Sequence, residues 1–95
     1  MKWSKAKMQD VDGTSLVGEV TTTYARLVEV FGKPHFSGDK TTAEWAIKFG
    51  NGTGNALVAT IYDWRERKTP KGEYAWHIGG QNELVVELVR QLVTK

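Results

Sequence analysis

Residues 57–82 read LVATIYDWRERKTPKGEYAWHIGGQN and gather most of the side chains in this chain that could do chemistry. Arg65, Arg67, Lys68 and Lys71, offset within residues 65–71 only by Glu66, give that loop, which lies between Trp64 and Trp76, a local charge near +3. Gly79-Gly80-Gln81-Asn82 then delivers the chain to a helix start, where unpaired N–H groups and the positive end of the helix dipole favour an anion. Flat rings, cations and free backbone donors are what a nucleotide-sized anion needs from a protein. No catalytic signature accompanies them: Ser4, Ser15 and Ser37 lack a nucleophile-elbow context, and no Ser–His–Asp set can be inferred. The chemistry is that of binding, and the chain reads as a non-enzyme.

If the strands over 57–64 and 73–78 are neighbours, Tyr62 and Trp64 meet Trp76 and His77 at one end of a sheet, beside the basic loop. An aromatic there would hold a base while Arg65 took a phosphate. Lys40 and Thr41, at the entry to the strand carrying Trp45, offer a further cation and hydroxyl, and Thr14 and Ser15 are similar. The candidate ligand-binding residues are therefore Tyr62, Trp64, Arg65, Trp76, His77, Lys40, Thr41, Gly79 and Gly80. Each has a plainer reading beside it: a solvated basic loop, glycines that only turn the chain with Asn82 as a cap, a hydrogen-bonded sheet histidine, a strand-start threonine. Asp63 and Glu44 read as surface charges beside Arg65 and Lys48. With two histidines and no cysteine, neither a metal site nor a cofactor is expected.

A chain of 95 residues, 40% apolar and with four Trp, three Tyr and three Phe, is expected to form a single domain over residues 1–95. A core this small is modest, and self-association would add to it. The net charge of +2 is too small for a general nucleic-acid coat, so anion recognition should be local. Without cysteine there is no disulfide and no thiol chemistry. No signal-peptide h-region or membrane-length apolar run is present, which leads to the expectation of a soluble, intracellular protein.

Sidedness predicts the elements that position these groups. Residues 1–11 alternate weakly, with Trp3, Ala6 and Met8 among lysines, as in an edge strand. Asp12-Gly13 is a turn signal, and residues 14–20 fit either a short strand or a loop into a helix. Tyr24, Leu27, Val28 and Phe31 fall at i, i+3, i+4 and i+7, which predicts a helix over 21–31, capped by Thr21 or Thr22 and closed by Gly32 ahead of Pro34. Ala43, Trp45, Ile47 and Phe49 share one side of a strand over 41–49, which turn-prone residues 50–55 join as a hairpin to the strand over 57–64. There Leu57, Ala59 and Ile61 share one face and Val58, Thr60, Tyr62 and Trp64 the other. Tyr74, Trp76 and Ile78 lie on one side of the next strand, with Ala75 and His77 on the opposite side. Leu84, Val85, Leu88, Val89, Leu92 and Val93 form the stripe of a second helix over 81–94. The expected fold is α+β, a small antiparallel sheet of three to five strands with two helices packed on one face.

The segments DGTSL, TTYARLVEVFGKP, KTTAEW, ATIYDW and WHIGG, in this order over residues 12–93, together resemble a family of small proteins of tailed bacteriophages, the fourth type of anti-CBASS nucleotide sponge. The resemblance implies a protein that binds a cyclic oligonucleotide immune signal without cleaving it, as a homo-oligomer in the host bacterial cytoplasm. It carries over to Lys40-Thr41-Thr42, Tyr62, Trp64 and Trp76-His77. It does not extend to the basic loop over 65–71, which leaves Arg67 and Lys71 outside it. The alternative from a different class is a phage inhibitor acting by protein–protein contact on a host defence or CRISPR effector, with Trp3, Trp64 and Arg65 as anchors.

Overall fold

The structure is a computed structural model that describes residues 2–50 and 57–94. The alternating segments form one antiparallel sheet. Its strands are β1 (Trp3–Lys5), β2 (Ser15–Thr22), β3 (Glu44–Phe49), β4 (Leu57–Tyr62) and β5 (Tyr74–Gly80), in the order β1-β3-β4-β5-β2. A 3-10 turn, Met8–Val11, follows β1, and the helices are α1 (Tyr24–Phe31) and α2 (Leu84–Val93). The fold is thus α+β, an open five-stranded sheet carrying two helices, as the periodicity predicts.

Strand alternation decides which face the helices cover. Val20, Trp45, Ile47, Phe49, Ala59, Ile61, Trp76 and Ile78 point to one side and form a single buried cluster with Leu27 and Phe31 of α1 and Val85, Val89 and Val93 of α2. Two indoles anchor it. Trp45 and Trp76 meet edge to face at 5.6 Å, and each finds a partner for its N–H: Trp45 donates to the Gly32 carbonyl at 2.8 Å and Trp76 to the Thr22 carbonyl at 3.2 Å. A buried indole needs that bond as well as its packing. Trp3, on the edge strand, adds an edge-to-face contact with Phe31 at 5.1 Å.

Several boundaries differ from the sequence expectation. Residues 15–22 are strand throughout, so Thr21 and Thr22 pair with Ala75 and Tyr74, and α1 starts three residues later than expected. Thr23 is the cap, its hydroxyl accepting from the Arg26 amide at 3.1 Å. Gly32 closes α1 as expected, at φ +85°, with its N–H donating to the Val28 carbonyl. The sheet also runs on through Gly79 and Gly80, which moves the start of α2 to Leu84, whose amide donates to Asn82 Oδ1 at 2.9 Å. The turn expected over 50–55 lies, apart from Gly50, outside the described residues. Among the described residues no helix is long and apolar enough to cross a membrane.

The two later tryptophans therefore sit in opposite environments, Trp76 fully buried and Trp64 42% exposed. Trp76→Ala should cost about 3–5 kcal/mol of folding stability in urea denaturation, and Trp64→Ala less than about 1 kcal/mol. Equal costs would contradict the division of the sheet into a packed and an open face.

Candidate functional site

The helix-free face carries the side chains of opposite parity. Glu44, Tyr62 and His77 are cross-strand neighbours on β3, β4 and β5, and Ala46, Thr60 and Gly79 form the adjacent row. Val11, Thr14 and Ser15, from the 3-10 turn and the start of β2, border this face and leave a pocket of about 200 Å³. Thr60 and Gly79 lie at its sheet side, Tyr62 and Trp64 along another, and Thr41 and Glu44 at the end nearest the β3 entry. A second cavity of about 330 Å³ shares Thr41 and is lined by Asp39, Lys40, Thr42, Arg65 and Glu66. The two adjoin at Thr41, the larger, outer one mainly polar and the smaller, inner one more apolar.

Gly79 acts here through its missing side chain. A Cβ at this position would lie 2.4 Å from Thr60 Oγ1 and 3.5 Å from Tyr62 Cε1, so any larger residue would displace the hydroxyl and crowd the ring. Behind the pocket, Tyr62 stacks on His77 with centroids 5.4 Å apart and planes 19° from parallel. Tyr62 also meets Trp64 edge to face at 6.2 Å. The His77 Nδ1 is buried and has no hydrogen-bond partner among the described residues.

Trp64 marks where the cations gather. Lys40 Nζ and the Arg65 guanidinium carbon each lie 5.7 Å from its ring centroid, close enough for cation–π attraction. Arg65 reaches this place through a left-handed backbone at φ +57°, a conformation costing a non-glycine residue about 1 kcal/mol. Its amide donates to the Lys40 carbonyl at 2.7 Å and fixes the turn.

Beneath this cluster lies a fully buried carboxylate. Asp63 accepts from the Thr42 amide at 2.7 Å, the Thr42 hydroxyl at 2.5 Å and the Ala43 amide at 3.2 Å. The Thr42 hydroxyl is also 2.7 Å from that of Thr69, which ties the basic loop to the same knot. Asp63 thus holds the segment bearing Lys40 and Thr41 against the end of β4. The expectation of a surface charge beside Arg65 is corrected: three donors to one carboxylate offset its desolvation, and burial follows.

Glu44 is the other carboxylate, and it faces the pocket. Burial pushes its pKa above the ordinary glutamate value, the nearby Asp63 pushes the same way, and a hydrogen bond from the Thr41 hydroxyl partly opposes them. Burial, then Glu44, likewise raises the Tyr62 phenol. Lys40 and Arg65 are thus the cations beside Trp64, with Asp39 and Glu66 lining the same cavity, and Glu44 is the carboxylate of the pocket next to it.

Of the residues expected to bind a ligand, Tyr62, Trp64, Arg65, Lys40 and Thr41 lie together, with His77 stacked behind Tyr62. Trp76 does not join them. It follows Ala75 and precedes His77 on a strand whose side chains alternate, so it points into the helix-covered core at 0% exposure. Gly79 and Gly80 form no helix-entry turn either; they pair with Leu16 and Ser15 of β2 and with Thr60 and Ala59 of β4. Gly79 still belongs to the site, as a lining residue, whereas Gly80 packs toward Val85 of α2. The basic loop divides: Lys71 Nζ sits 3.7 Å from the Tyr24 ring centroid on α1, while Arg67 and Lys68 are exposed. Glu44 and Thr60 line the pocket and Asp63 anchors it, although in sequence Glu44 and Asp63 read as surface charges and Thr60 is not singled out.

Compared with known protein families, with curated proteins and with solved structures, the chain matches none. The functional reading accordingly rests on the site itself.

Removing the Asp63 carboxylate should be costly: Asp63→Ala strands three donors and should lose about 3 kcal/mol. The isosteric Asp63→Asn keeps an acceptor for the two amides and should lose about 1 kcal/mol. Urea denaturation, with amide exchange at Thr42 and Ala43, checks both. For Glu44 the sign is opposite to that of a paired carboxylate. The unfolded chain ionises first as pH rises through the ordinary glutamate pKa, so wild type should lose stability relative to Glu44→Gln up to the raised native pKa and no further. Melting temperatures of the two proteins across that window test the sign.

Proposed function

We propose that this chain is a sponge: it binds a cyclic oligonucleotide immune signal and sequesters it without cleaving it, as a phage protein in the infected bacterial cytoplasm. The observation that carries this reading is Trp64, a half-exposed indole flanked at equal distance by Lys40 and Arg65 at the mouth of a pocket. A ring between two cations suits a base joined to a phosphate. Stacking of a base on such a ring is worth about 1–3 kcal/mol, and a charge-assisted bond to phosphate about 1.5–3 kcal/mol.

The dimensions suit one nucleotide unit. Pockets that enclose a whole drug-sized ligand begin near about 300 Å³, so a cavity of about 200 Å³ takes a base-sized group while the adjoining one takes sugar and phosphate. A cyclic dinucleotide repeats that unit about a near two-fold axis. Two copies of the chain related by a two-fold axis would present both halves with the same groups, which is the assembly this reading favours. Sequestration needs no chemistry beyond tight stoichiometric binding.

Thermal shift with a panel of cyclic di- and trinucleotides tests the reading, since a ligand that binds only the folded state raises the melting temperature by mass action. One or more should do so, and chromatography after long incubation should return the ligand intact. Trp64→Ala should abolish the shift, and Arg65→Ala should weaken binding by about 1.5–3 kcal/mol while leaving the unliganded melting temperature in place. A panel that shifts nothing would favour the inhibitor reading, with Trp64 and Arg65 as anchors on a protein partner. Degraded ligand would make the protein an enzyme.

A further inference from the structure

We propose that Glu44 reads the base of the bound nucleotide, and that the base it selects presents two adjacent N–H donors on one edge, as guanine does. This deepens the sponge reading and rests on it. The position of the charges carries the inference. Lys40 and Arg65 lie beside Trp64 in the outer cavity, where Asp39 and Glu66 also line the wall and Glu66 accepts from the Tyr74 hydroxyl. Glu44 instead lines the inner pocket, at the first residue of β3 and opposite Tyr62, with no cation among the described residues that line it. A phosphate would be repelled at Glu44 and attracted at Lys40 and Arg65. The part of the ligand that enters the inner pocket is therefore its uncharged part.

An ionised carboxylate only accepts hydrogen bonds, and its two oxygens match two parallel N–H groups. The Thr41 hydroxyl beside it takes up part of that capacity and leaves the rest for a ligand. Among the described residues no ion pair satisfies Glu44, so a bound donor would relieve a burial cost that the free protein carries. The four bases then separate. Guanine offers its ring N–H and amino group side by side. Adenine and cytosine put a ring acceptor next to the amino group, and uracil flanks a single N–H with two carbonyls; each sets a lone pair against the carboxylate. Thr60 and Gly79 line this pocket at its sheet side, with the Thr60 hydroxyl filling the space over Gly79.

The test titrates wild type and Glu44→Gln with cyclic di-GMP, cyclic di-IMP, cyclic di-AMP and the all-adenine cyclic trinucleotide by calorimetry. Hypoxanthine keeps the ring N–H of guanine and lacks the amino group. Cyclic di-GMP should bind wild type at least about tenfold more tightly than the other three. Glu44→Gln should weaken cyclic di-GMP by about tenfold and erase most of its lead over cyclic di-IMP, with the protein still folded by its melting transition. Equal or tighter binding of an adenine ligand, no loss from guanine to hypoxanthine, or a preference that survives in Glu44→Gln would overturn the role of Glu44 and leave the sponge reading standing. Failure of all four ligands to bind wild type would overturn both.

Discussion

The Asp63 carboxylate is the constraint on which the site depends. It is wholly buried, a position that costs several kcal/mol for an ionised group unless donors surround it. Here the donors come from the Thr42 and Ala43 amides and the Thr42 hydroxyl, about twenty residues earlier in the chain. Satisfying that charge forces the entry to β3 against the exit from β4. Lys40, Thr41 and Glu44 on one side of this knot and Trp64 and Arg65 on the other are its neighbours, and all five line the two cavities. The Arg65 amide bond to the Lys40 carbonyl is a consequence of the same approach, and it holds Arg65 in a backbone state that it would otherwise leave.

The sheet explains why only one tryptophan is available at the site. Its packed face needs large apolar groups to fill the space beneath two short helices, and Trp45 and Trp76, with Trp3 at the edge, supply them. Strand parity then gives the open face Glu44, Thr60, Tyr62 and His77, a row that is polar or half-polar. Trp64 lies two residues beyond Tyr62, the last residue of β4, and keeps its parity, so it borders the same open-face pocket while Asp63 between them is buried. A structural anchor and a half-exposed ring are thus adjacent without competing.

Elements with a regular period were legible in the sequence, and so were the residues that lie close together along the chain. The stripes of Leu27 and Phe31 or Val85 and Val89, and the alternation through Trp45, Ile47 and Phe49, correspond to buried side chains. Tyr62, Trp64 and Arg65 meet as their spacing suggests. Trp76 was misplaced although the information was present: an alternating strand that puts Tyr62 beside His77 must turn Trp76 away. Gly79-Gly80 was read as a turn because glycine commonly serves one, but here it permits close approach, of Thr60 Oγ1 in one case and Val85 in the other. Asp63 had no local signal at all. A carboxylate whose donors lie some twenty positions away looks in sequence like any surface acid, and only the register of β3 against β4 brings them together.

On the proposed reading, affinity and selectivity fall to different residues. Lys40 and Arg65 are exposed, lie beside an exposed ring and would attract any phosphate, with a strength that salt reduces. Glu44 is half-buried on a strand, where salt screens it less and where the register with Tyr62 fixes its place. On the proposed reading the first pair decides whether a nucleotide is held and Glu44 decides which. The loop that carries Arg65 can then change its charge without altering the pocket, because the loop meets the pocket wall only at Trp64. A carboxylate inside an anion-binding site would be a defect if the ligand were a bare phosphate. It becomes a selective element once the ligand has an anionic part that stays outside and a donor-bearing part that enters.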